Sequence, residues 1–391
     1  MTDTRTESTD REDPWSITKQ DLFDAMREYR TDGAGAVVAT VVDVEGSAYR
    51  RPGAKMLIDP DRESLGAITA GCLEGPVTDL AADVLESGEP SVHTFDLMDD
   101  EGWGLGLGCN GIIDILMEPL DASWDAPLSE LADHRPVGTV TVVDADDERV
   151  AVGDRISLDQ HGDSLSSGRR NGLPDDVLAA VERTCDELRQ KKGAATVGVD
   201  TEYGSVDVFV DWLTPAPDLL LFGTQNDVHP VARIGREAGF RVVIASTKGA
   251  RSDLEQFPNA HAVKRTRAMD VGDVVEDPSR TYAVIMSHNA IDDRLALASL
   301  ADTDVPYIGL MGPRERFEEI REDLETEEDR TLTDEELARI ATPVGLDLGG
   351  GEPTQIALSI VSEALAVHNG RDGDRLKSRE GPIHARLSSI E

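Results

Sequence analysis

Two α/β domains in series, the second a doubly wound parallel sheet, are what this sequence predicts, on three observations. From Asp218 onward, short fully apolar segments alternate strictly with helical ones, the pattern of parallel strands covered on both faces. Before that point β-branched segments and isolated helices follow one another without that rhythm, which reads as mixed α/β. Between the two lies Thr214-Pro215-Ala216-Pro217, whose alternate prolines force extended backbone and mark a linker. The 391 residues suit two or three domains at about 150 residues each.

Residues 1–17 are polar and read as disordered. The first domain is expected over 18–213, with a helix over Thr18–Tyr29, strands over Ala36–Val44, Lys55–Ile58, Ser91–Phe95 and Gly111–Met117, and a helix over Pro76–Glu86. From about residue 122 a separate antiparallel part is expected, with strands at Gly138–Asp144, Arg149–Val152, Ala195–Val199 and Val206–Trp212 and a helix at Asp175–Arg189. A Rossmann-like domain over 218–370 follows, built on strands Leu219–Phe222, Arg241–Ala245, Tyr282–Met286 and Tyr307–Leu310, and then a tail over 371–391. No internal repeat of fixed period stands out.

Charge excludes whole classes of partner. With 38 Lys plus Arg against 77 Asp plus Glu the net charge is −39, so nucleic acid and anionic membrane repel this chain. Only seven of the basic residues are Lys, and such an acidic, Arg-rich surface suits a halophilic cytoplasm where salt screens carboxylate repulsion. Three cysteines, an odd number, argue against a disulfide framework. No apolar run approaches the ~18 residues of a membrane span, so a cytoplasmic protein is expected.

Five segments, together with Arg314, have the residue types for chemistry. Tyr49-Arg50-Arg51-Pro52-Gly53-Ala54-Lys55 sets three cations in a Gly-containing turn, either an anion site or a solvated hairpin. Ala70-Gly71-Cys72-Leu73-Glu74-Gly75 puts Cys72 just ahead of a helix N-terminus, a setting that favours thiolate, while Gly106-Leu107-Gly108-Cys109 crowds backbone amides around a second thiol. If the two loops meet, the thiols suit a soft metal, a sulfur ligand or a persulfide; each is otherwise a small buried residue. Gly223-Thr224-Gln225-Asn226 lies where a dinucleotide loop needs G-x-G-x-x-G, and only its first glycine is present. Ser287-His288-Asn289 and Arg314 follow later strands of that sheet, where open α/β folds place ligands; His288 is the acid–base candidate if the protein is an enzyme.

Together these segments resemble the XdhC/CoxI family, accessory proteins for the maturation of xanthine dehydrogenase and related molybdenum hydroxylases. The matching stretches are Arg50-Arg51-Pro52-Gly53-Ala54-Lys55-Met56, Gly71-Cys72-Leu73-Glu74-Gly75, Gly106-Leu107-Gly108-Cys109, Ser287-His288-Asn289, Tyr307-Ile308-Gly309-Leu310-Met311-Gly312-Pro313-Arg314 and Pro343-Val344-Gly345-Leu346-Asp347. The resemblance implies a non-catalytic chaperone that binds molybdenum cofactor (molybdopterin), protects it during sulfuration and delivers it to an apo-enzyme of the xanthine or CO dehydrogenase type. A cysteine desulfurase and a second copy of the chain are further expected partners. On that reading Arg50, Arg51 or Lys55 with Gly71, Gly106 and Gly108 hold the cofactor's phosphate. Cys72 and Cys109 sit near the molybdenum, and Glu74 is a further cofactor-binding residue. Gly223, Gln225, Asn226, His288, Asn289 and Arg314 complete the site from the second domain. The family usually has Gly-Ala-Gly-His where this chain has Gly223-Thr224-Gln225-Asn226, which counts against the alternative, an NAD(P)-dependent oxidoreductase.

Overall fold

A computed structural model of the chain describes residues 14–97, 111–165, 172–247, 253–327 and 329–380. They form two compact units that divide between Pro215 and Ala216.

The first unit opens with α1 (Lys19–Asp32), capped by Thr18, whose Oγ1 accepts from the Asp21 N–H at 3.1 Å, and ended by Gly33 at φ 67°. Then come β1 (Val37–Gly46), β2 (Lys55–Ile58), β3 (Ser64–Gly66), α2 (Glu74–Ser87), β4 (Ser91–Asp96) and β5 (Gly111–Pro119). After α3 (Asp125–Ala132) the same succession returns: β6 (Val137–Ala145), β7 (Arg155–Leu158), β8 (Ser164–Leu165), α4 (Asp175–Lys191), β9 (Ala194–Thr201) and β10 (Gly204–Leu213). The two antiparallel sheets have matching orders, β3-β2-β1-β5-β4 and β8-β7-β6-β10-β9. The first three strands of each begin 100 residues apart. The unit is therefore a structural duplication of a β-β-β-α-β-β module.

Equivalent strands also meet in equivalent ways. Val42 and Leu116 from one sheet pack with Val143 and Phe209 from the other in a buried apolar cluster. Two ion pairs reach across reciprocally: Lys55 Nζ of β2 to Asp211 Oδ2 of β10 at 2.5 Å, and Arg155 Nη2 of β7 to Glu118 Oε1 of β5 at 2.5 Å. All four side chains are buried, and the buried Trp124 ring lies 4.3 Å from the Arg155 guanidinium and 5.8 Å from the Lys55 ammonium. Buried pairs cost desolvation, so removing one member strands its partner at a penalty of about 3–5 kcal/mol.

The sequence expectation of a strand at Arg149–Val152 is corrected here. Asp147 Oδ1 accepts from the Arg149 N–H at 2.9 Å and Asp154 Oδ2 from the Ala151 N–H at 2.9 Å, so side chains close this stretch into turns and the strand begins at Arg155.

The second unit is a Rossmann-like, doubly wound sheet of six parallel strands, ordered β13-β12-β11-β14-β15-β16. Its elements are β11 (Asp218–Phe222), α5 (Val228–Glu237), β12 (Arg241–Thr247), β13 (Ala262–Thr266), β14 (Thr281–Ile285), α6 (Ala290–Ala301), β15 (Tyr307–Leu310), α7 (Arg314–Glu327), α8 (Asp334–Ala338), β16 (Ile340–Ala341) and α9 (Pro353–His368). Alternate residues of each strand face opposite cores. Leu220, Phe222, Val243 and Ile285 join Leu297 of α6 and Phe317 of α7, whereas Leu219, Leu221, Ile244 and Val284 join Val231 of α5 and Ile360 of α9. Strand order reverses between β11 and β14, so their carboxyl ends splay the following loops apart and leave a crevice.

Candidate functional site

In the first unit, sequence-distant elements gather cations around one cavity of about 250 Å³. The β1–β2 loop brings Tyr49, Arg50 and Arg51; α1 brings Lys19; the turn after α4 brings Lys192. Three of the chain's seven lysines, Lys19, Lys55 and Lys192, line it. The side chains of Lys19, Arg50, Arg51 and Lys192 make no hydrogen bond or ion pair among the described residues, although carboxylates outnumber cations two to one in this chain. Unpaired positive charge concentrated on so acidic a background is an anion site in electrostatic terms.

Lys55 has a different role from its two arginine neighbours. It is buried and its ammonium is spent on Asp211 in the cavity floor. Gly53 lets the arginine loop close onto that floor: φ is 93°, and a Cβ there would lie 3.4 Å from Asp211 Oδ1 and 3.3 Å from Ala194 Cβ. Lys19 itself is exposed, at the start of α1, and neighbouring protein atoms partly desolvate its ammonium. That desolvation lowers its pKa below the ordinary lysine value; Asp211 opposes the shift and the charges of Lys55 and Arg50 reinforce it. Sequence reasoning missed Lys19, Lys192 and Asp211, since none sits in a motif.

Gly71, Cys72 and Glu74 lie elsewhere in this unit and do not line the cavity. Cys72 is half-buried against the core of the first sheet. Glu74 fixes the loop that presents it: Oε1 accepts from the Thr69 N–H at 2.9 Å, and Oε2 accepts from Thr69 Oγ1 at 2.5 Å and the Leu73 N–H at 3.2 Å. Burial pushes the Glu74 carboxyl up, but these bonds outweigh it and hold the group below its usual value. Gly106, Gly108 and Cys109 lie outside the described residues. Cys185 is buried on α4, and burial pushes its thiol up to about 11, so it is inert. Among the described residues, no group of three or more His, Cys, Asp or Glu is placed to hold a metal ion.

The second unit's crevice, about 320 Å³, lies at the strand-order reversal and is lined by Gly223, Thr224, Gln225, Thr247, Ser287, His288, Asn289 and Asp292. A Cβ on Gly223 would come 2.5 Å from the Met286 carbonyl oxygen, so glycine there serves the close approach of two loops. Apart from His288, no basic residue among those described lines the crevice. Asn226 and Arg314 are exposed and do not line it either. Asn289 Oδ1 caps α6 by accepting from the Ile291 and Asp292 N–H groups.

His288 is held in the left-handed region at φ 58°, and its Nε2 lies 2.6 Å from Asp227 Oδ2. The loop is over-determined from below: Ser287 Oγ and Arg316 Nη2 both donate to the buried carboxylate of Asp293. Burial raises the Asp293 pKa against these two contacts. Arg316, not Arg314, is thus the arginine of α7 that reaches inward.

Comparison with known proteins places both units. Residues 30–96 match the XdhC and CoxI family, and residues 219–364 match the XdhC Rossmann domain. The chain belongs to the XdhC and CoxI family. It is similar to a probable xanthine dehydrogenase subunit of Bacillus subtilis, 26% identical over 349 residues, which cover 88% of this chain and 96% of that one. A molybdenum cofactor insertion chaperone of Escherichia coli, PaoD, is 30% identical over 109 residues, 27% of this chain and 34% of that protein. A crystal structure of a xanthine dehydrogenase from Bacillus halodurans superposes with a TM-score of 0.71 at 25% identity, over 91% of this chain and 97% of that one. The XdhC and CoxI match takes in Arg50, Arg51, Lys55, Cys72 and Glu74. Lys19, Lys192 and Asp211, which complete the basic cavity, lie outside both matches.

Proposed function

We propose that this XdhC-family chain is an accessory protein that binds molybdenum cofactor and delivers it to an apo molybdenum hydroxylase of the xanthine or CO dehydrogenase type. The basic cavity of the first unit is the observation that supports the reading: four cations that make no hydrogen bond or ion pair among the described residues, on a protein of net charge −39, answer the cofactor's phosphate. On this reading Lys19, Arg50, Arg51 and Lys192 hold that phosphate. Lys55 and Asp211 form the rigid floor, and Cys72, which does not line the cavity, and Cys109 are the proposed soft donors to the metal. The names of relatives from Bacillus and Escherichia coli point to the same class of client. Sulfuration of the cargo would bring a cysteine desulfurase to the complex.

The test is transfer. Purified protein loaded with cofactor is mixed with an apo xanthine dehydrogenase, and hydroxylase activity is followed. Activity should rise with loaded protein and stay at background with Arg50→Ser/Arg51→Ser protein treated identically; equal rescue by both would refute the assignment.

The His288–Asp227 contact favours a second reading, an NAD(P)-dependent oxidoreductase with His288 as acid–base group. Gln225 and Asp292 in the crevice oppose it, the first by filling space a diphosphate needs and the second by its charge. Titration with NADH and NADPH decides between the two: micromolar binding supports the enzyme, and none supports the carrier.

A further inference from the structure

Lys19 stands where the surroundings work against its charge. It opens α1, so it sits at the positive end of the helix dipole, where a cation is disfavoured. Four further cations, Arg50, Arg51, Lys55 and Lys192, line the same cavity. The one carboxylate among the lining residues, Asp211, is held by Lys55 Nζ at 2.5 Å. Asp21, the acid in the first turn of α1, accepts from Thr18 Oγ1 at 2.8 Å. Lys19 itself makes no hydrogen bond or ion pair among the described residues, and its exposure leaves it within reach of a solute. Desolvation and the charges of Lys55 and Arg50 lower its pKa, so more of the amine is neutral than in an ordinary lysine. A neutral amine kept so by neighbouring cations is a nucleophile.

We infer that Lys19 forms an imine with a small aldehyde or ketone that bears a phosphate or carboxylate, the anionic group being held by Arg50, Arg51 and Lys192. The inference rests on the cavity holding anions, as the carrier reading does, and adds a covalent step that reading does not contain. The three lysines of the cavity are not equivalent. Lys55 is buried and paired with Asp211. Lys192 caps the C-terminal end of α4, where the helix dipole favours a cation, so it keeps its charge for the anion. Lys19 alone of the three lies at a helix N-terminus, and guanidinium groups never release their proton, so the free amine falls to Lys19. In the step itself the nitrogen lone pair attacks the carbonyl carbon and forms a C–N bond. The carbonyl oxygen then leaves as water with both hydrogens of the amine, and no electron is gained or lost.

The experiment treats the full chain at neutral pH with glyceraldehyde 3-phosphate or with glyceraldehyde, traps imines with cyanoborohydride and locates the modified lysines by peptide mass spectrometry. Calorimetric titration with inorganic phosphate runs beside it. Among the chain's seven lysines, Lys19 should carry most of the phosphorylated label, ahead of the exposed Lys377, and inorganic phosphate should suppress it. Arg50→Ser/Arg51→Ser should slow labelling of Lys19 by the phosphorylated aldehyde by about tenfold and by glyceraldehyde much less. Lys19→Arg should lose the label and still bind phosphate. The labelling rate at Lys19 should level off at a lower pH than the rate at Lys377. Label distributed by exposure alone, or Lys192 labelled ahead of Lys19, with phosphate still bound, would overturn the inference and leave the anion site standing. Absence of both phosphate binding and preference for Lys19 would remove the anion site as well.

Discussion

The two modules of the first unit share one topology, and one of the places where they differ is the charge economy of the loop between their first two strands. Between β1 and β2, Arg50 and Arg51 find no carboxylate among the described residues. Between β6 and β7, at the corresponding place, Arg149 is fully engaged: its Nη2 lies 2.7 Å from Asp147 Oδ2 and 2.9 Å from Asp176 Oδ2, and its guanidinium stacks 3.9 Å from the Tyr203 ring. On the proposed reading, the duplicated scaffold separates what the module needs to fold, the reciprocal buried pairs present in both halves, from what one copy keeps for a ligand, the unpaired arginines present in one.

The largest expected effect breaks the common part. Asp211→Ala leaves Lys55 buried without a counter-charge, and Glu118→Ala does the same to Arg155, so each should lower stability by about 3–5 kcal/mol in urea unfolding. Replacing both members of a pair by Met and Leu should cost far less. Losses under ~1 kcal/mol for both single variants would mean the crossing pairs do not lock the modules together.

The next separates the loops. Arg50→Ser and Arg51→Ser should each weaken phosphate binding by about tenfold or more while changing stability by less than about 0.5 kcal/mol. Arg149→Ser should leave phosphate binding untouched. Equal effects at the three positions would erase the distinction between the copies.

A smaller effect concerns the glycines that close the loops, Gly53 at φ 93° and Gly153 at φ 86°. Alanine at either should cost about 1–3 kcal/mol from backbone strain. Only Gly53→Ala should also reduce anion binding, because its Cβ presses on Asp211.

Acid separates the copies least. The hydrogen bond from Arg149 holds the Asp147 carboxyl at about 2, below its ordinary 3.8. A depressed acid stabilises the fold fully above its unfolded value, and the contribution fades as pH falls through about 2. Arg149→Ser should therefore lower the stability difference between pH 7 and pH 3, and Arg50→Ser should leave it unchanged.

Much of the second unit was legible because buried parallel strands carry continuous apolar runs such as Leu219–Phe222, whose residues split between two cores. Helix α9 went beyond expectation even though Ala357, Ile360, Val361 and Ala364 follow helical spacing. A short run such as Ile356–Ile360 reads equally as strand or helix without its context. The duplication was hidden because only scattered residues are shared at a spacing of 100, Gly53 with Gly153 and Ser64-Leu65 with Ser164-Leu165 among them, while the equivalence shows in strand order and in charge pairs that swap Lys55 for Arg155. At the site, the sequence pointed to Arg50 and Arg51 through their adjacency. It did not point to Lys19, Lys192 or Asp211, since each is brought to the cavity by a different element from a distant part of the chain.

The full chain, produced together with molybdenum cofactor and weighed intact under native conditions, tests the central claim most directly. The wild-type protein should carry the added mass of the cofactor, and the Arg50→Ser/Arg51→Ser protein should be recovered without it. A variant that retains the same added mass as the wild type would contradict the account.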